Sequence, residues 1–300
     1  MRLTYKAVIL FALLLSRPSC ALDKTGPPAP VKTVRVLFIG NSLTYTNDLP
    51  QLFADFAKTT YPRLSVVVES VAAPGESLKG HWLGGDALRR LKGSRWDYVV
   101  LQEKTSLPTG AFLLDGAIQH ELPNEFFDYG ERFIDAAVSV KAKPILYQTY
   151  EGRSRSEDLP YLDYAYMTLG RKTGTPVAPV ARIWHRVDGA KHLNLYDEDG
   201  LHPSLYGSYL AAAAIASTIF GDPRSDTVQH PASIPESAAR EILAAVRAVR
   251  KELAPTGGYA DVPAPRFVTR PMSVLRTLQQ YQLSPLAITT SALGSCPRRQ

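Results

Sequence analysis

The sequence predicts an α/β protein, a three-layer α/β/α sandwich built on a five-stranded parallel sheet. Five short apolar segments with strand character alternate with segments in which apolar residues recur at helical spacing. Strands that alternate with helices form parallel sheets, with right-handed connections and helices on both faces. The first strand, residues 34–39, is apolar except at Arg35, which is typical of a strand covered on both faces.

The predicted elements follow one another from residue 34 to residue 253. The first helix begins at residues 47–50, where Pro50 suits a first turn and an apolar stripe follows. In the last helix, residues 233–253, Ser233 and Glu236 have the spacing of a capping box. The strands are predicted at 34–39, 64–71, 96–102, 144–150 and 176–178. The other helices are predicted at 85–92, 123–140, 161–173, 180–187 and 203–220, with a long loop at 103–121.

Both ends of the chain differ from this domain. Residues 1–21 combine a basic start, a short apolar run and small residues near Ala21, as a cleavable secretory signal peptide does. Lipid attachment at Cys20 fits less well, because arginine and proline precede it, and an uncleaved anchor is the third alternative. Residues 22–33 read as a proline-rich linker, and residues 254–300 as a poorly ordered tail. We therefore expect a secreted or periplasmic protein with no stable membrane insertion after cleavage.

Charge and cysteine content restrict the partners. The formal net charge is +6, but residues 1–21 hold three basic side chains and no acid, and residues 255–300 hold five arginines and one aspartate. The domain between them is therefore nearly neutral, and nucleic acid is not an expected partner. Only Cys296 would remain after signal cleavage, so no internal disulfide is expected in the mature chain.

A serine nucleophile is predicted where the first strand ends. Gly40-Asn41-Ser42 follows the apolar run directly, and ligands of open α/β sheets bind at the carboxyl ends of strands. A serine needs a base, and Asp199-x-x-His202 provides a histidine with an aspartate that can fix its tautomer. Two alternatives remain, a serine that only caps a turn and an acidic surface loop at 197–199. A metal cluster with His192 lacks an obvious third ligand.

Four segments of the sequence carry a resemblance to a known family. Gly40-Asn41-Ser42-Leu43-Thr44, Gly75, Leu101-Gln102-Glu103 and Asp199-x-x-His202-Pro203 come in the order of the conserved blocks of the SGNH hydrolases. These esterases and lipases are also called the GDSL family. The chain most resembles the bacterial branch whose first block reads Gly-Asn-Ser-Leu-Thr, over residues 34–220. With this resemblance we expect a flavodoxin-like sheet.

The resemblance implies a role for each site residue. Ser42 would be the nucleophile, His202 the general base and then acid, and Asp199 the residue that orients His202. The oxyanion would be held by the backbone N–H groups of Ser42 and Gly75 and by a side-chain amide. The family uses asparagine for this third donor, whereas this chain has Gln102, whose stem is one methylene longer.

These expectations describe an SGNH-type ester hydrolase that needs no metal or organic cofactor. By analogy with the family, the substrate is a small-molecule or polysaccharide ester, and deacetylation of a carbohydrate is the first choice. Two alternatives stay open. One is an acyltransferase that uses the same triad, and the other is a non-catalytic glycan-binding relative in which Gln102 marks lost activity. The sequence does not indicate the acyl length or the oligomeric state.

Overall fold

A parallel sheet forms the centre of the protein, in a computed structural model that describes residues 31–190, 192–223 and 230–269. The strands of this part are β1 (Lys32–Gly40), β2 (Leu64–Ala72), β3 (Tyr98–Gln102), β4 (Ala111–Leu114), β5 (Ala117–His120), β6 (Lys143–Tyr147) and β7 (Val177–Ala178). Five of them pair in parallel in the order β2-β1-β3-β6-β7. Counted along the chain, this is the 2-1-3-4-5 order of flavodoxin-like sheets, so the predicted fold is confirmed.

The helices pack in two groups around this sheet. They are α1 (Ser42–Tyr45), α2 (Leu49–Thr60), α3 (Leu78–Gly84), α4 (Asp86–Gly93), α5 (Ser106–Thr109), α6 (Asn124–Ser139), α7 (Leu159–Thr173), α8 (Val180–Ala190), α9 (Leu205–Phe220) and α10 (Glu236–Leu253). One group contains α2, α8, α9 and α10, and the other contains α3, α4, α6 and α7. None of these described helices is both long enough and apolar enough to cross a lipid bilayer.

The apolar pattern of each strand matches its place in the sheet. In β1, the residues from Val36 to Ile39 are fully buried, because strands flank β1 on both edges and helices cover both faces. The edge strand β2 instead has alternating exposed and half-buried positions. The buried end of β1 therefore leads directly into the Gly40-Asn41-Ser42 turn.

The predicted loop at 103–121 is wrong in part, because it contains the short helix α5 and the hairpin of β4 and β5. In the hairpin, Ala111 pairs with His120 and Leu114 with Ala117. Asp115 and Gly116 form the turn with positive φ angles of 49° and 77°. An Asp-Gly pair between apolar residues is a strong hairpin signal, so the sequence contained the information. The helix α3 was also not predicted; Ser77 caps it by accepting a hydrogen bond from the Gly80 N–H.

The predicted capping box of α10 is also wrong. The helix begins at Glu236, Pro235 occupies the N-cap position, and no side chain caps the first turn. Glu236 is therefore the first helical residue and not the third, so that Ser233 lies too early to cap it.

Residues 254–269, which we expected to belong to a poorly ordered tail, make contacts with the domain. Arg171 donates a hydrogen bond to the Ala260 carbonyl (2.8 Å), and the Val268 N–H donates one to the His120 carbonyl (2.8 Å). Lys32 and Thr33, expected in the linker, belong to β1. The predicted signal peptide at 1–21, most of the linker, Cys20, Cys296 and the tail beyond residue 269 lie outside the described residues.

Candidate active site

The serine turn lies at the carboxyl end of the central strand β1. Asn41 caps the four-residue helix α1, because its side-chain oxygen accepts a hydrogen bond from the Leu43 N–H (3.1 Å). Its side-chain nitrogen donates to the Glu76 carbonyl (2.9 Å) and so joins the turn to the loop after β2. Ser42 is the first residue of α1 and is partly buried. Its N–H lies at a helix start, where backbone N–H groups lack helical partners and favour a negative charge.

Gly40 is required by the close packing of this turn. A Cβ atom there would overlap the Thr44 hydroxyl and the carboxamide oxygen of Gln102. The Gly40 carbonyl accepts a hydrogen bond from Nε2 of His81 on α3 (2.7 Å). Because a carbonyl only accepts, this contact places a proton on Nε2. His81 is 7% exposed, so this hydrogen bond joins α3 to the serine turn in the protein interior.

Asp199 and His202 form a direct pair in the loop before α9. Oδ2 of Asp199 lies 2.5 Å from Nδ1 of His202, while Oδ1 accepts the backbone N–H groups of Leu201 and His202, both at 2.9 Å. The hydrogen bond with His202, followed by the two backbone bonds, lowers the pKa of Asp199 to about 2. The carboxylate therefore stays ionised at neutral pH and accepts the Nδ1 proton. Nε2 of His202 is left for a proton transfer.

A tertiary contact brings the serine and histidine loops together. The side-chain nitrogen of Asn47, five residues after Ser42, donates to the carbonyl of Pro203 and to the Ser208 hydroxyl, each at 3.0 Å. Pro203 directly follows His202. Across the described ranges, no hydrogen bond joins Ser42 to His202 itself. The two residues thus lie on loops that are bonded to each other.

Gly75 lies in the loop that follows β2. Its φ of +62° is left-handed, which favours glycine, and a Cβ there would meet no atom within 4 Å. The residue is exposed, and its N–H donates no hydrogen bond within the described part of the chain. The neighbouring residue Glu76 is bonded to Asn41 through its carbonyl, so the Gly75 loop is joined to the serine turn.

The hydrogen bonds of Gln102 favour a role other than the oxyanion donor that the resemblance implied. Its side-chain oxygen accepts the Asn41 N–H (2.7 Å) and the Thr44 hydroxyl (2.8 Å), and its nitrogen donates to the Glu103 carbonyl (2.7 Å). The residue is 1% exposed. A carboxamide that is buried under the turn and bonded at both ends does not face an oxyanion on the substrate side.

Glu103 is a buried carboxyl group beside this turn, 1% exposed. It accepts the Lys104 N–H (2.6 Å) and the N–H of Leu78, the first residue of α3 (3.1 and 3.3 Å to its two oxygens). Burial raises the pKa of Glu103 to about 8, although these backbone bonds partly oppose the effect. The sequence alone does not show which backbone groups Glu103 holds.

The loop after β6 supports the histidine loop, which the sequence did not indicate. The Arg153 N–H donates to the Gly200 carbonyl (2.8 Å). The Arg153 guanidinium lies over the Tyr196 ring, 5.2 Å from its centre, and donates to the Asn194 side chain (2.6 Å). The hydroxyl of Tyr196 in turn donates to the Glu151 carbonyl (3.0 Å).

In the described ranges, no three histidine, cysteine or acidic side chains gather as a metal site requires.

Comparisons with solved structures identify proteins of similar fold. A proposed SGNH hydrolase from Slackia heliotrinireducens superposes over 63% of this chain and 100% of its own, with a TM-score of 0.52 and 27% identity. A DUF4886 family protein from Bacteroides uniformis superposes over 77% of this chain and 98% of its own, with a TM-score of 0.56 and 13% identity. A variant of Axe2, an acetyl-xylooligosaccharide esterase from Geobacillus stearothermophilus, superposes over 62% and 94%, with a TM-score of 0.51 and 15% identity.

No family model matches the sequence, and no curated protein matches it either. The fold that the resemblance implied is nevertheless present, since the first of these structures combines 27% identity with full coverage of its own length. The other two share 13% and 15% identity and show the fold alone. The similarity supports a hydrolase, while the roles of Ser42, Asp199 and His202 stay predictions.

Proposed function

Because this chain has the SGNH hydrolase fold, we propose that it is a serine ester hydrolase with Ser42, His202 and Asp199 as its catalytic residues. The observation that carries the proposal is the Asp199–His202 pair, with 2.5 Å between Oδ2 and Nδ1, on a loop bonded to the serine turn. A structural surface loop would not need an ionised aspartate that accepts three hydrogen bonds, one of them from an imidazole.

In the proposed reaction, Nε2 of His202 takes the Ser42 hydroxyl proton while the serine oxygen attacks the ester carbonyl carbon. The negative charge moves to the carbonyl oxygen, which the backbone N–H groups of Ser42 and Gly75 stabilise. When the tetrahedral intermediate collapses, the C–O bond to the alcohol breaks and His202 returns the proton to the leaving oxygen. Water then repeats the sequence on the acyl-enzyme and releases the carboxylic acid. Asp199 keeps the imidazole oriented and stabilises its protonated form.

The proposed substrate is a short-chain ester, such as an acetyl group on a carbohydrate. Gly75 is exposed, and the side chains of Asp199 and His202 are 49% and 32% exposed. Such an open, polar site suits a small acyl group on a large hydrophilic alcohol, whereas a long acyl chain would need apolar cover. The signal-like residues 1–21 suggest that the protein meets this substrate outside the cytoplasm.

The test is a chain-length series of p-nitrophenyl esters, from acetate through butyrate to octanoate, with wild-type protein and the Ser42→Ala and His202→Asn variants. We expect acetate to be the best substrate and both variants to lose about 10³-fold or more of kcat. Acetylated xylo-oligosaccharides, with and without added acceptor sugars, then distinguish hydrolysis from acyl transfer. Equal turnover by wild type and Ser42→Ala would contradict the proposal.

A further inference from the structure

Two consecutive buried polar residues end the strand β3, and their side chains hold two different loops. Gln102 and Glu103 are each 1% exposed. Gln102 contacts the serine turn after β1, whereas Glu103 contacts the start of α3, which follows the Gly75 loop. Buried polar groups are costly unless they are bonded, so this pair is expected to have a specific role.

The orientation of the Gln102 carboxamide is fixed by its partners. A backbone N–H can only donate, so the atom that faces the Asn41 N–H at 2.7 Å is the oxygen. A backbone carbonyl can only accept, so the atom that faces the Glu103 carbonyl at 2.7 Å is the nitrogen. The oxygen also accepts the hydroxyl proton of Thr44, which is fully buried in α1.

The hydrogen bonds close a circuit around the two proposed oxyanion donors. The Asn41 N–H donates to the side chain of Gln102. The next residue, Glu103, accepts the N–H of Leu78 through its carboxyl group. The chain then leads back from Leu78 to Glu76, whose carbonyl accepts the Asn41 side chain at 2.9 Å. Ser42 directly follows Asn41 and Gly75 directly precedes Glu76. The circuit thus passes within one residue of each of the two N–H groups.

We propose that Gln102 and Glu103 form a positioning clamp that fixes the Ser42 N–H relative to the Gly75 N–H. In this clamp, Gln102 acts through its side-chain oxygen and is a positioning residue, not an oxyanion donor. The catalytic consequence rests on the proposed hydrolase function, because both N–H groups must reach one oxyanion. A displacement of about 1 Å in such a site can cost about 10²-fold in rate. Asparagine is one methylene shorter, so on an unchanged backbone its side-chain oxygen would not occupy the place of the Gln102 oxygen that accepts the Asn41 N–H.

The first test compares kinetics of folded variants with p-nitrophenyl acetate. Gln102→Met keeps the length of the side chain and removes its hydrogen bonds, and we expect kcat to fall about 10- to 100-fold with KM changed less than about threefold. The matched control is Gln148→Met, because Gln148 is also fully buried but bonds to Asp163; its kcat should stay within about twofold of wild type.

Thr44→Val removes one bond of the clamp and should lower kcat less. The double variant Thr44→Val/Gln102→Met should equal Gln102→Met, since both remove the same contact.

Gln102→Asn separates the clamp from a donor role. As a clamp residue, the shorter asparagine cannot reach the Asn41 N–H, and kcat should fall as in Gln102→Met. As an oxyanion donor, asparagine would preserve or raise kcat. Wild-type kcat in Gln102→Asn or in Gln102→Met would overturn the proposal.

The second test does not depend on turnover. Amide hydrogen exchange of the peptides that cover residues 40–44 should become about tenfold or more faster in Gln102→Met, and remain at the wild-type rate in Gln148→Met. If wild type hydrolyses no ester, the hydrolase proposal fails, and the exchange rates still decide whether the clamp exists. Unchanged exchange in Gln102→Met would refute the clamp; faster exchange would support it. If Gln102→Met does not fold, Thr44→Val supplies the same comparison.

Discussion

The buried carboxyl group of Glu103 makes the stability of the protein depend on pH, and Glu103→Gln should remove this dependence. Burial raises its pKa from 4.5 to about 8 in the folded protein. Between these values the folded protein holds a proton that the unfolded chain has released. Stability contributed by the group is therefore fully present below pH 4.5 and is lost as the pH rises through 8.

The size of the effect follows from the two pKa values. Between pH 5 and pH 8, a shift from 4.5 to about 8 lowers the free energy of unfolding by about 3 kcal/mol. In Glu103→Gln this loss is absent. The amide nitrogen of the new glutamine faces the backbone N–H of either Leu78 or Lys104, and two donors cannot bond. The lost hydrogen bond lowers the free energy of unfolding by about 1 kcal/mol at every pH. We therefore expect the variant to be about as stable as wild type at pH 5 and more stable at pH 8.

The assay is urea unfolding at pH 5 and pH 8 and constant ionic strength, followed by tryptophan fluorescence. The quantity compared is the difference in the free energy of unfolding between wild type and variant at each pH. This difference cancels the effect of Glu151, whose pKa burial raises to about 7 in both proteins. Glu252→Gln removes an exposed carboxylate on α10 as the matched control, and we expect it to follow wild type within about 0.5 kcal/mol. Parallel stability losses in wild type and Glu103→Gln would refute the reasoning.

Three further predictions concern the site. Gly40→Ala places a Cβ against Thr44 and Gln102, and should lower both the free energy of unfolding, by about 1–3 kcal/mol in urea titrations, and kcat. Gly75→Ala should lower the free energy of unfolding by about 1 kcal/mol, because the φ of Gly75 is +62°. A kcat unchanged from wild type would show that catalysis does not need this loop conformation. Asp199→Asn should lower kcat for p-nitrophenyl acetate about 10²- to 10⁴-fold with KM nearly constant, because an amide cannot stabilise the imidazolium; a large change in KM alone would contradict this.

The sequence predicted those parts of the protein that local signals determine. The apolar run before Gly40-Asn41-Ser42 and the alternation of strands with helices were sufficient for a parallel sheet and for the place of the serine at a strand end, whereas the strand order was expected from the family resemblance. The Asp199–His202 contact is also local, since the two residues are three positions apart in one turn. The hairpin at 111–120 was missed although its Asp115-Gly116 signal was present.

The contacts that assemble the site could not be predicted, because they join residues far apart in the chain. The bond from Asn47 to Pro203 spans 156 positions, and the bond from Asn41 to Gln102 spans 61. Whether the Gln102 side chain faces an oxyanion or the underside of the serine turn depends on the register of β3 beside β1. A resemblance to a motif carries no information on that register, so it could not indicate which groups the Gln102 side chain contacts.

The most direct test of the central claim is covalent labelling of Ser42. Diethyl p-nitrophenyl phosphate phosphorylates an activated serine and releases p-nitrophenol. With wild-type protein we predict one equivalent of p-nitrophenol per chain, one diethylphosphoryl group by intact mass, and its location on Ser42 by peptide mapping. Ser42→Ala should remain unlabelled, and His202→Asn should react far more slowly. Labelling at another residue, or equal labelling of wild type and Ser42→Ala, would contradict the assignment of Ser42 as the nucleophile.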